Sequence, residues 1–369
     1  MLYIYPDYYK DFKCIADRCP DTCCAGWQIV VDEDSLEHYQ NVPADHPFKN
    51  RLDEFVDWDE GVFMQDGCRR CAFLNDSNLC DLYTALGEES LCHTCTSYPR
   101  HTEEYEGLRE VTLSLSCPEV ARMVLAKTDK ATFYEEAEFE EDYEEDDDFE
   151  DFDMLMFGIL QDVRSVMIDI MQDRTIDIAT RTATIWRMAE ELQECLDDGD
   201  IFVCQDVVEK YSENKSQSYS DTTTACDYQR ALNMFKYLYR LEVLNEDWEQ
   251  QVDETALSLY GQDAEHYERL SSEFDRWLIE YKSNWQIQYE QIVVYFLATY
   301  LCGAVYDGWV AAKVKMSVAS IFYIHEMLMA QWLKQDRSLS EQDIINMVYR
   351  YSRELEHSDI NLDELETCL

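Results

Sequence analysis

Cysteine is the residue type whose number and spacing point most clearly to chemistry in this chain of 369 residues. Of the 15 cysteines, ten lie between positions 14 and 117, in the segments FKCIADRCPDTCCAGW, CRRCAFLNDSNLCDLYTALGEESLCHTC and SLSCPE. Thiolates are soft metal ligands, and close spacing lets one turn present two sulfur atoms to one centre. The sequence therefore predicts a cysteine-ligated metal site, with candidate ligands Cys14, Cys19, Cys23, Cys24, Cys71, Cys80, Cys92, Cys95 and Cys117.

The spacing of these thiols leaves the identity of the metal open. Cys68-x-x-Cys71 and Cys92-x-x-Cys95, separated by 20 residues, match a zinc-ribbon spacing. The further thiols exceed the needs of one tetrahedral zinc ion, so a four-thiolate iron–sulfur cluster, or more than one site, also fits. The chain has no Cys-x-x-x-Cys-x-x-Cys loop, because position 26 is a glycine. A radical mechanism built on that loop is therefore disfavoured.

Composition and missing motifs exclude several other classes of protein. The chain has 78 acidic and 30 basic residues and a net charge of −48. Such a field repels nucleic acids and anionic lipid surfaces, so we expect a partner that presents lysines or a cationic ligand. No G-x-G-x-x-G loop, P-loop or H-E-x-x-H motif is present, which argues against a Rossmann nucleotide site.

The start of the chain and its apolar stretches predict where the protein works. The first residues, MLYIYPDYYKDFKC, contain no basic region followed by an apolar stretch, so we expect no signal peptide and a cytoplasmic location. Disulfides rarely persist in that compartment, which favours metal binding by the clustered thiols. The longest apolar stretch, residues 292–306, has 15 residues, which is short for a membrane span. We expect neither a membrane nor a nucleic-acid partner.

The pattern along the chain predicts a mainly α protein in three parts. Residues 1–126 form an irregular, cysteine-rich metal domain with short strands at 27–31 and 111–117. Residues 127–153 are an acidic linker, since 14 of the 19 residues at 135–153 are acidic. Residues 154–369 form an α-helical domain, in which Cys195, Cys204, Cys226, Cys302 and Cys368 are expected to act as small core residues.

Apolar residues recur every three or four positions in the helical part, as in an amphipathic helix. The first such series is Leu155, Ile159, Val163, Val166 and Ile170, and a second is Leu232, Phe235, Leu238, Tyr239 and Leu241. Ser340 and Asp343 predict a capping box and a helix from about position 341. Its apolar side comprises Ile344, Ile345, Val348, Tyr351 and Leu355.

Several segments resemble the flagellin lysine-N-methylase family. They are FKCIADRCPDTCCAGWQIVVD, CAFLNDSNLCDLYTALGEESLCHTCTSYPRH, LSLSCPEVAR, VYDGWVAAKVKMSVASI and YRYSRELEHSDIN. The N-terminal segments are also similar to a broader group of zinc- or iron-chelating proteins, and the YSRELEHSDIN segment points to the methylase. The resemblance implies methyl transfer from S-adenosylmethionine to lysine ε-amines of flagellin, together with a [4Fe–4S] cluster, for which zinc is the alternative.

The resemblance and the charge pattern single out the last long helix as the place of a catalytic site. We predict that Arg353, Glu354 and His357 line a cleft between the two domains, where Arg353 binds a carboxylate and His357 accepts a proton from the incoming lysine. The alternative is an interdomain salt-bridge patch. At the level of function, the alternative is a non-catalytic metal-chelating or redox-sensing binding protein. The sequence assigns no residue to the binding of S-adenosylmethionine.

Overall fold

The computed structural model describes residues 1–137, 152–213 and 227–368, and the prediction of a mainly α protein is confirmed. The first of these ranges mixes short helices and strands. In chain order they are β1 (Leu2–Pro6), α1 (Glu33–Gln40), α2 (Lys49–Phe55), β2 (Val56–Asp57), β3 (Val62–Phe63), α3 (Asp81–Leu86), α4 (His93–Ser97), β4 (Arg100–Tyr105), β5 (Leu108–Leu113), α5 (Pro118–Ala126) and β6 (Phe133–Ala137).

Four of these strands form one sheet in the order β4-β5-β1-β6. β4 and β5 are an antiparallel hairpin whose turn contains Gly107 at a φ of +73°, a conformation that glycine adopts without a steric penalty. β1 runs parallel to β5, with Leu2 opposite Leu108, and antiparallel to β6, with Leu2 opposite Ala137. The sheet thus joins the start of the chain to segments far along it.

The cysteine-rich segments between β1 and β4 surround a separate apolar core, which we call the small core. Its buried members are Ile29, Val31, Tyr39, Val42, Phe48, Leu52, Val56, Phe63, Cys71, Phe73, Leu82 and Cys92. The aromatic rings of Phe63 and Phe73 pack edge to face with centroids 5.0 Å apart. Cys24, Cys80 and Cys95 are partly buried against this core, so five of the candidate ligands border it.

The strand predicted at residues 27–31 is wrong. These residues, all of which the structure describes, form no strand, and Val30 makes only an isolated bridge to Val62. The alternation in the sequence is nevertheless real, since Ile29 and Val31 are buried in the small core while Val30 is 57% exposed. β3 opposite them has two residues, which is too short to continue the ladder.

The strand predicted at 111–117 is right only in its first half. β5 ends at Leu113, and Cys117 is the N-cap residue of α5. Phe133–Ala137, inside the predicted linker, form β6 and pair with β1, so these five residues are a strand rather than linker. The rest of the acidic run, residues 138–151, lies outside the described residues.

Helices make up the two later ranges. They are α6 (Met154–Met171), α7 (Ile178–Asp197), α8 (Ile201–Glu213), α9 (Tyr228–Phe235), α10 (Glu246–Tyr260), α11 (Ala264–Tyr281), α12 (Trp285–Tyr300), α13 (Ala304–Asp307), α14 (Val310–Lys334), α15 (Glu341–Glu356) and α16 (Asp359–Cys368). α12 is buried over most of its surface, which includes the polar side chains of Gln288, Glu290 and Gln291 as well as the apolar run that begins at Ile292. Among the described helices, none is long and apolar enough to cross a bilayer.

A large core unites these helices with β5 and α5. Glu110 of β5 and Arg164 of α6 form a buried bidentate ion pair, and Arg164 also donates to the carbonyl oxygen of Ala298 at 3.1 Å. The backbone N–H of Leu115 donates to the Tyr295 hydroxyl at 3.3 Å. The segment that carries Cys117 is therefore fixed to the helical part, whereas the small core belongs to the cysteine-rich segments alone.

The predicted start of α15 is confirmed. Ser340 is its N-cap, and the hydroxyl of Ser340 and the carboxylate of Asp343 each accept from the other residue's backbone N–H, at 3.1 and 2.7 Å. Ile344, Val348, Tyr351 and Leu355 are buried as expected. α15 packs against α5, α14 and α16, which aims its C-terminal end at the cysteine-rich segments.

Candidate functional site

A pocket of about 250 Å³ lies where the end of α15 meets the cysteine-rich segments. Its walls are residues 25–27, which follow the Cys23–Cys24 pair, the turn at residues 67–69, and the loop before α10. Asp21 and the side chains of Arg353, Glu354 and His357 complete it. The structure therefore brings the three predicted catalytic residues to one pocket.

Arg353 uses all three of its guanidinium nitrogens to join α15 to two cysteine-bearing segments. Nη1 lies 2.7 Å from Oδ1 of Asp21, and Nη2 donates to the carbonyl oxygen of Asp21 at 2.8 Å. Nε donates to the carbonyl oxygen of Ser116 at 3.0 Å. The Arg353 side chain is only 13% exposed. The carboxylate that Arg353 binds therefore belongs to Asp21 of the same chain. Arg353 is a residue that positions the wall of the pocket.

Glu354 lines the pocket and is buried. Its Oε2 accepts a hydrogen bond from the backbone N–H of Leu244 at 2.9 Å. Burial raises the pKa of Glu354 to about 7, although the N–H groups of residues 244 and 245 and the positive charges of Arg69 and Arg353 act against that rise. A carboxylate with a pKa near neutrality can both take up and release a proton at physiological pH.

His357 follows the last helical residue of α15 and lies among aromatic rings. Its Nε2 is 2.9 Å from the Ser116 hydroxyl, and its ring centroid is 5.2 Å from that of Trp27 and 5.8 Å from that of Tyr98. Burial, followed by the positive charge of Arg353, lowers the pKa of His357 to about 4. The imidazole is therefore neutral at physiological pH and is a weaker base than Glu354, which differs from the role that the sequence assigned to it.

Other pocket residues were not identified from the sequence. Trp27 lines the pocket, and Arg69 donates from Nη1 to the carbonyl oxygen of Leu244, which ties the 67–69 turn to the loop before α10. Trp27 stands in the CCAGW motif beside two candidate ligands, so its position in that motif was an available signal. Arg69 adopts a φ of +57° in a turn, and no local sequence pattern predicts this backbone conformation.

The described cysteines are free thiols, and five of the nine candidate ligands are grouped around the small core. Cys71 and Cys92 are buried in the small core with Cys24, Cys80 and Cys95 against it, and Cys117 is buried at the start of α5. Cys68 is exposed and lines the pocket instead. Cys204 and Cys302 are buried in the large core and Cys195 packs against it, as expected. Cys226 and the side chain of Cys368 lie outside the described residues.

The chemistry of the donor set fits a thiolate-ligated metal centre, either a zinc ion or an iron–sulfur cluster. Within the part of the chain that the structure describes, no three histidine, cysteine, aspartate or glutamate side chains are placed to hold one metal ion. A zinc ion draws four sulfurs to about 2.3 Å from one atom, whereas a four-iron cluster binds each thiolate through a different iron and so needs wider spacing. Both kinds of centre use cysteine thiolates, so both stay predictions for these thiols.

The fold and site define a class of protein: it is mainly helical, it has a cysteine-rich N-terminal region, and a polar pocket lies between that region and the helices. Residues 164–369, more than half of the chain, match the family model of the FliB lysine N-methylase C-terminal domain. The chain therefore belongs to this family. The matched region contains α15 with Arg353, Glu354 and His357.

Curated relatives share a shorter stretch. Lysine-N-methylases of Salmonella choleraesuis (strain SC-B67) and Salmonella typhimurium (strain LT2) are each 29% identical over 139 residues, which cover 36% of this chain and 34% of theirs. A flagellar biosynthetic protein FliU of Salmonella muenchen is 28% identical over 142 residues, 36% of this chain and 83% of its own. The chain thus aligns with about a third of the length of the methylases. No solved structure matches it.

Proposed function

We propose that this protein is an S-adenosylmethionine-dependent protein lysine N-methyltransferase that acts on flagellin. Membership of the FliB lysine N-methylase C-terminal domain family carries the proposal. The names of the relatives, lysine-N-methylase and flagellar biosynthetic protein, support a flagellar protein as the substrate. The net charge of −48 agrees with a partner that presents lysines.

The pocket at the end of α15 has the groups that the reaction needs. The pocket is lined by the aromatic residue Trp27 and the carboxyl of Glu354, which are the kinds of group that attract a protonated lysine. At about 250 Å³ the pocket is smaller than most sites for drug-sized ligands. It therefore suits the lysine side chain and the reactive end of the donor, and we assign no residues to the remainder of the donor.

The chemical step is a displacement in which the chain's own residues position groups and move one proton. The lysine ε-ammonium gives a proton to the Glu354 carboxylate, which leaves a neutral amine. Its lone pair forms the new N–C bond while the S–C bond of the sulfonium breaks, and the bonding electrons stay on sulfur, which becomes a thioether. Desolvation in the pocket favours the neutral amine, and alignment of the two reactants supplies most of the acceleration.

A cysteine-ligated iron–sulfur cluster, with zinc as the alternative, is part of the same proposal. Bound to the thiols, it would cross-link the loops at residues 14–24 and 71–95, two of whose flanking segments form pocket walls. Methyl transfer from a sulfonium requires no electron transfer from a redox centre, so we assign the metal-binding thiols a structural role. Asp21 and residues 25–27 keep their positions in the pocket only if these loops hold their conformation.

Anaerobically purified protein, flagellin and methyl-labelled S-adenosylmethionine provide the test, with methyllysine in flagellin peptides measured by mass spectrometry. We expect label on flagellin lysines with the wild-type protein and a large loss with Glu354→Gln. Glu249→Gln, which alters an exposed residue of α10, is the matched control. Metal-loaded, folded protein that transfers no methyl group to flagellin would refute the proposal.

A non-catalytic metal-chelating or redox-sensing protein is the second candidate. It is favoured by one observation: each of the three guanidinium nitrogens of Arg353 already contacts Asp21 or Ser116, and these contacts compete with the binding of a ligand carboxylate. This candidate predicts metal binding and redox-dependent partner binding without any methyllysine. The labelling experiment therefore separates the two candidates.

A further inference from the structure

Five of the nine candidate ligands belong to one structural unit. Cys71 and Cys92 are buried in the small core, and Cys24, Cys80 and Cys95 pack against it. The backbone N–H of Cys71 donates to the carbonyl oxygen of Cys24 at 2.7 Å, which fixes the two chain segments side by side. We call these five residues the inner set.

The other four ligands, Cys14, Cys19, Cys23 and Cys117, lie outside the small core, and Arg353 brings their segments together. The Cys19 thiol donates to the carbonyl oxygen of Asp21 at 3.1 Å, and Arg353 Nη2 donates to the same oxygen at 2.8 Å. Arg353 Nε donates to Ser116, the neighbour of Cys117, at 3.0 Å. We call these four residues the outer set.

The electrostatic neighbours of the thiols follow the same division. The thiols near enough to Cys71 to interact with it electrostatically are those of Cys24, Cys80 and Cys92, all in the inner set. The thiols that interact in this way with Cys117 are those of Cys19 and Cys14, both in the outer set. The adjacent residues Cys23 and Cys24 interact with each other, so the two sets meet at that dipeptide. Several thiolates in one place repel one another unless a cation neutralises them.

We propose that the cysteine-rich region holds two separate thiolate-ligated metal centres, one formed by the inner set and one by Cys14, Cys19, Cys23 and Cys117. A zinc ion or a four-iron cluster uses four thiolates, so one centre cannot use all nine. The inner set provides four ligands and one spare thiol, and the outer set provides four. This proposal rests on the metal binding in the proposed function but not on methyl transfer. The outer centre also explains why Arg353 donates its hydrogen bonds to Asp21 and Ser116. Asp21 lies between Cys19 and Cys23, and Ser116 precedes Cys117.

The test counts metal in the anaerobically purified full chain. Iron, acid-labile sulfide and zinc per chain are measured for the wild type, for the outer-set variant Cys14→Ser/Cys19→Ser and for the inner-set variant Cys80→Ser/Cys95→Ser. Cys68→Ser is the matched control, because Cys68 is an exposed thiol in neither set. Circular dichroism checks that each variant is folded. Because Cys14 is exposed, its replacement by serine in the outer-set variant does not disturb the packing of a core.

Two centres predict that each double variant loses the metal of one centre and keeps the other. If both centres contain iron, the outer-set variant keeps about half of the iron and sulfide, and if the outer centre contains zinc, that variant loses zinc while its iron is unchanged. An outer-set variant with the wild-type content of every metal would overturn the proposal, and so would a result in which each of the two double variants loses all metal. If the protein holds metal in both centres but transfers no methyl group, the two-centre proposal is supported and only the proposed methyltransferase function is contradicted.

Discussion

Glu354 and His357 lie one helical turn apart at the end of α15, and their surroundings shift their pKa values in opposite directions. Burial disfavours the charged form of each group, which raises the pKa of the carboxyl and lowers that of the imidazole. The nearby Arg353 charge deepens the shift of His357 but opposes that of Glu354. The sequence marks both residues as candidates for proton transfer, but only Glu354 has a pKa near neutrality in the folded protein.

Replacement of Glu354 by glutamine tests this assignment. We expect Glu354→Gln to lower kcat by roughly 10²–10⁴-fold, the usual contribution of a general base. The melting temperature should stay the same or rise, because a buried carboxyl is replaced by a neutral amide that still accepts from Leu244. Loss of activity in proportion to loss of folded protein would mean that Glu354 is structural.

The pH dependence of methyl transfer follows from the same carboxyl. With a pKa of about 7 in the folded protein, Glu354 is protonated and inactive as a base below pH 7 and ionised above it. We therefore expect kcat/KM to rise as the pH increases through about 7 and to level off before the lysine itself titrates. The rise should be absent from the residual activity of Glu354→Gln and intact in Glu249→Gln. A wild-type profile that is flat between pH 6 and 8 would exclude Glu354 as the base.

Arg353 illustrates a residue whose role is set by its partners. Arg353→Lys keeps the positive charge but cannot donate to Asp21 and Ser116 in the fork geometry of a guanidinium. We expect the free energy of unfolding to fall by about 1–3 kcal/mol, the cost of leaving half-buried hydrogen-bond acceptors unsatisfied. Arg350→Lys, at an exposed position on the same helix, should change it little. Equal effects of the two substitutions in a urea titration would show that the contacts of Arg353 contribute nothing to stability.

At the scale of elements, α15 was predictable because its signals are local. The cap at Ser340, the reciprocal bond with Asp343 and the apolar stripe all lie within four turns of one another. The short strands were not predictable in the same way, because a strand needs a partner. Ile29 and Val31 alternate like a strand but meet a two-residue partner, and β6 is acidic yet pairs with β1.

The contribution of the cap can be measured directly. We expect Ser340→Ala to lower the free energy of unfolding by about 1 kcal/mol, because the backbone N–H of Asp343 in the first turn loses the Ser340 hydroxyl that accepts its hydrogen bond. Methyl transfer well below the melting temperature should be unaffected, since the pocket lies at the other end of α15. Ser338→Ala, two residues earlier and also exposed, is the control and should change the stability by less than the cap substitution does.

At the scale of the whole molecule, the proposed function predicts that charge assists the encounter with a protein substrate. A net charge of −48 attracts a lysine-bearing surface over a distance that salt shortens to about 10 Å at 0.1 M ionic strength. We expect KM for flagellin to rise severalfold between low and physiological salt while kcat stays constant. A short, net-neutral lysine peptide should show a much smaller change. A KM for flagellin that does not depend on salt would mean that the overall field plays no part in substrate binding.

The sequence by itself determined whatever depends on residue type and short-range spacing. Clustered thiols, the helical periods after residue 154 and the capping box of α15 are of this kind, and the family resemblance added the position of Arg353, Glu354 and His357. None of these features needs a distant partner, so each is written in a few neighbouring residues.

Only the tertiary structure decided how these parts meet. It paired β1 with β5 and β6, divided the nine candidate ligands between the small core and the segments joined by Arg353, and gave Glu354 rather than His357 a pKa near neutrality. Each outcome depends on burial and on partners far away in the chain. Desolvation and charge–charge interactions are properties of the space around a group, and a linear sequence does not specify that space.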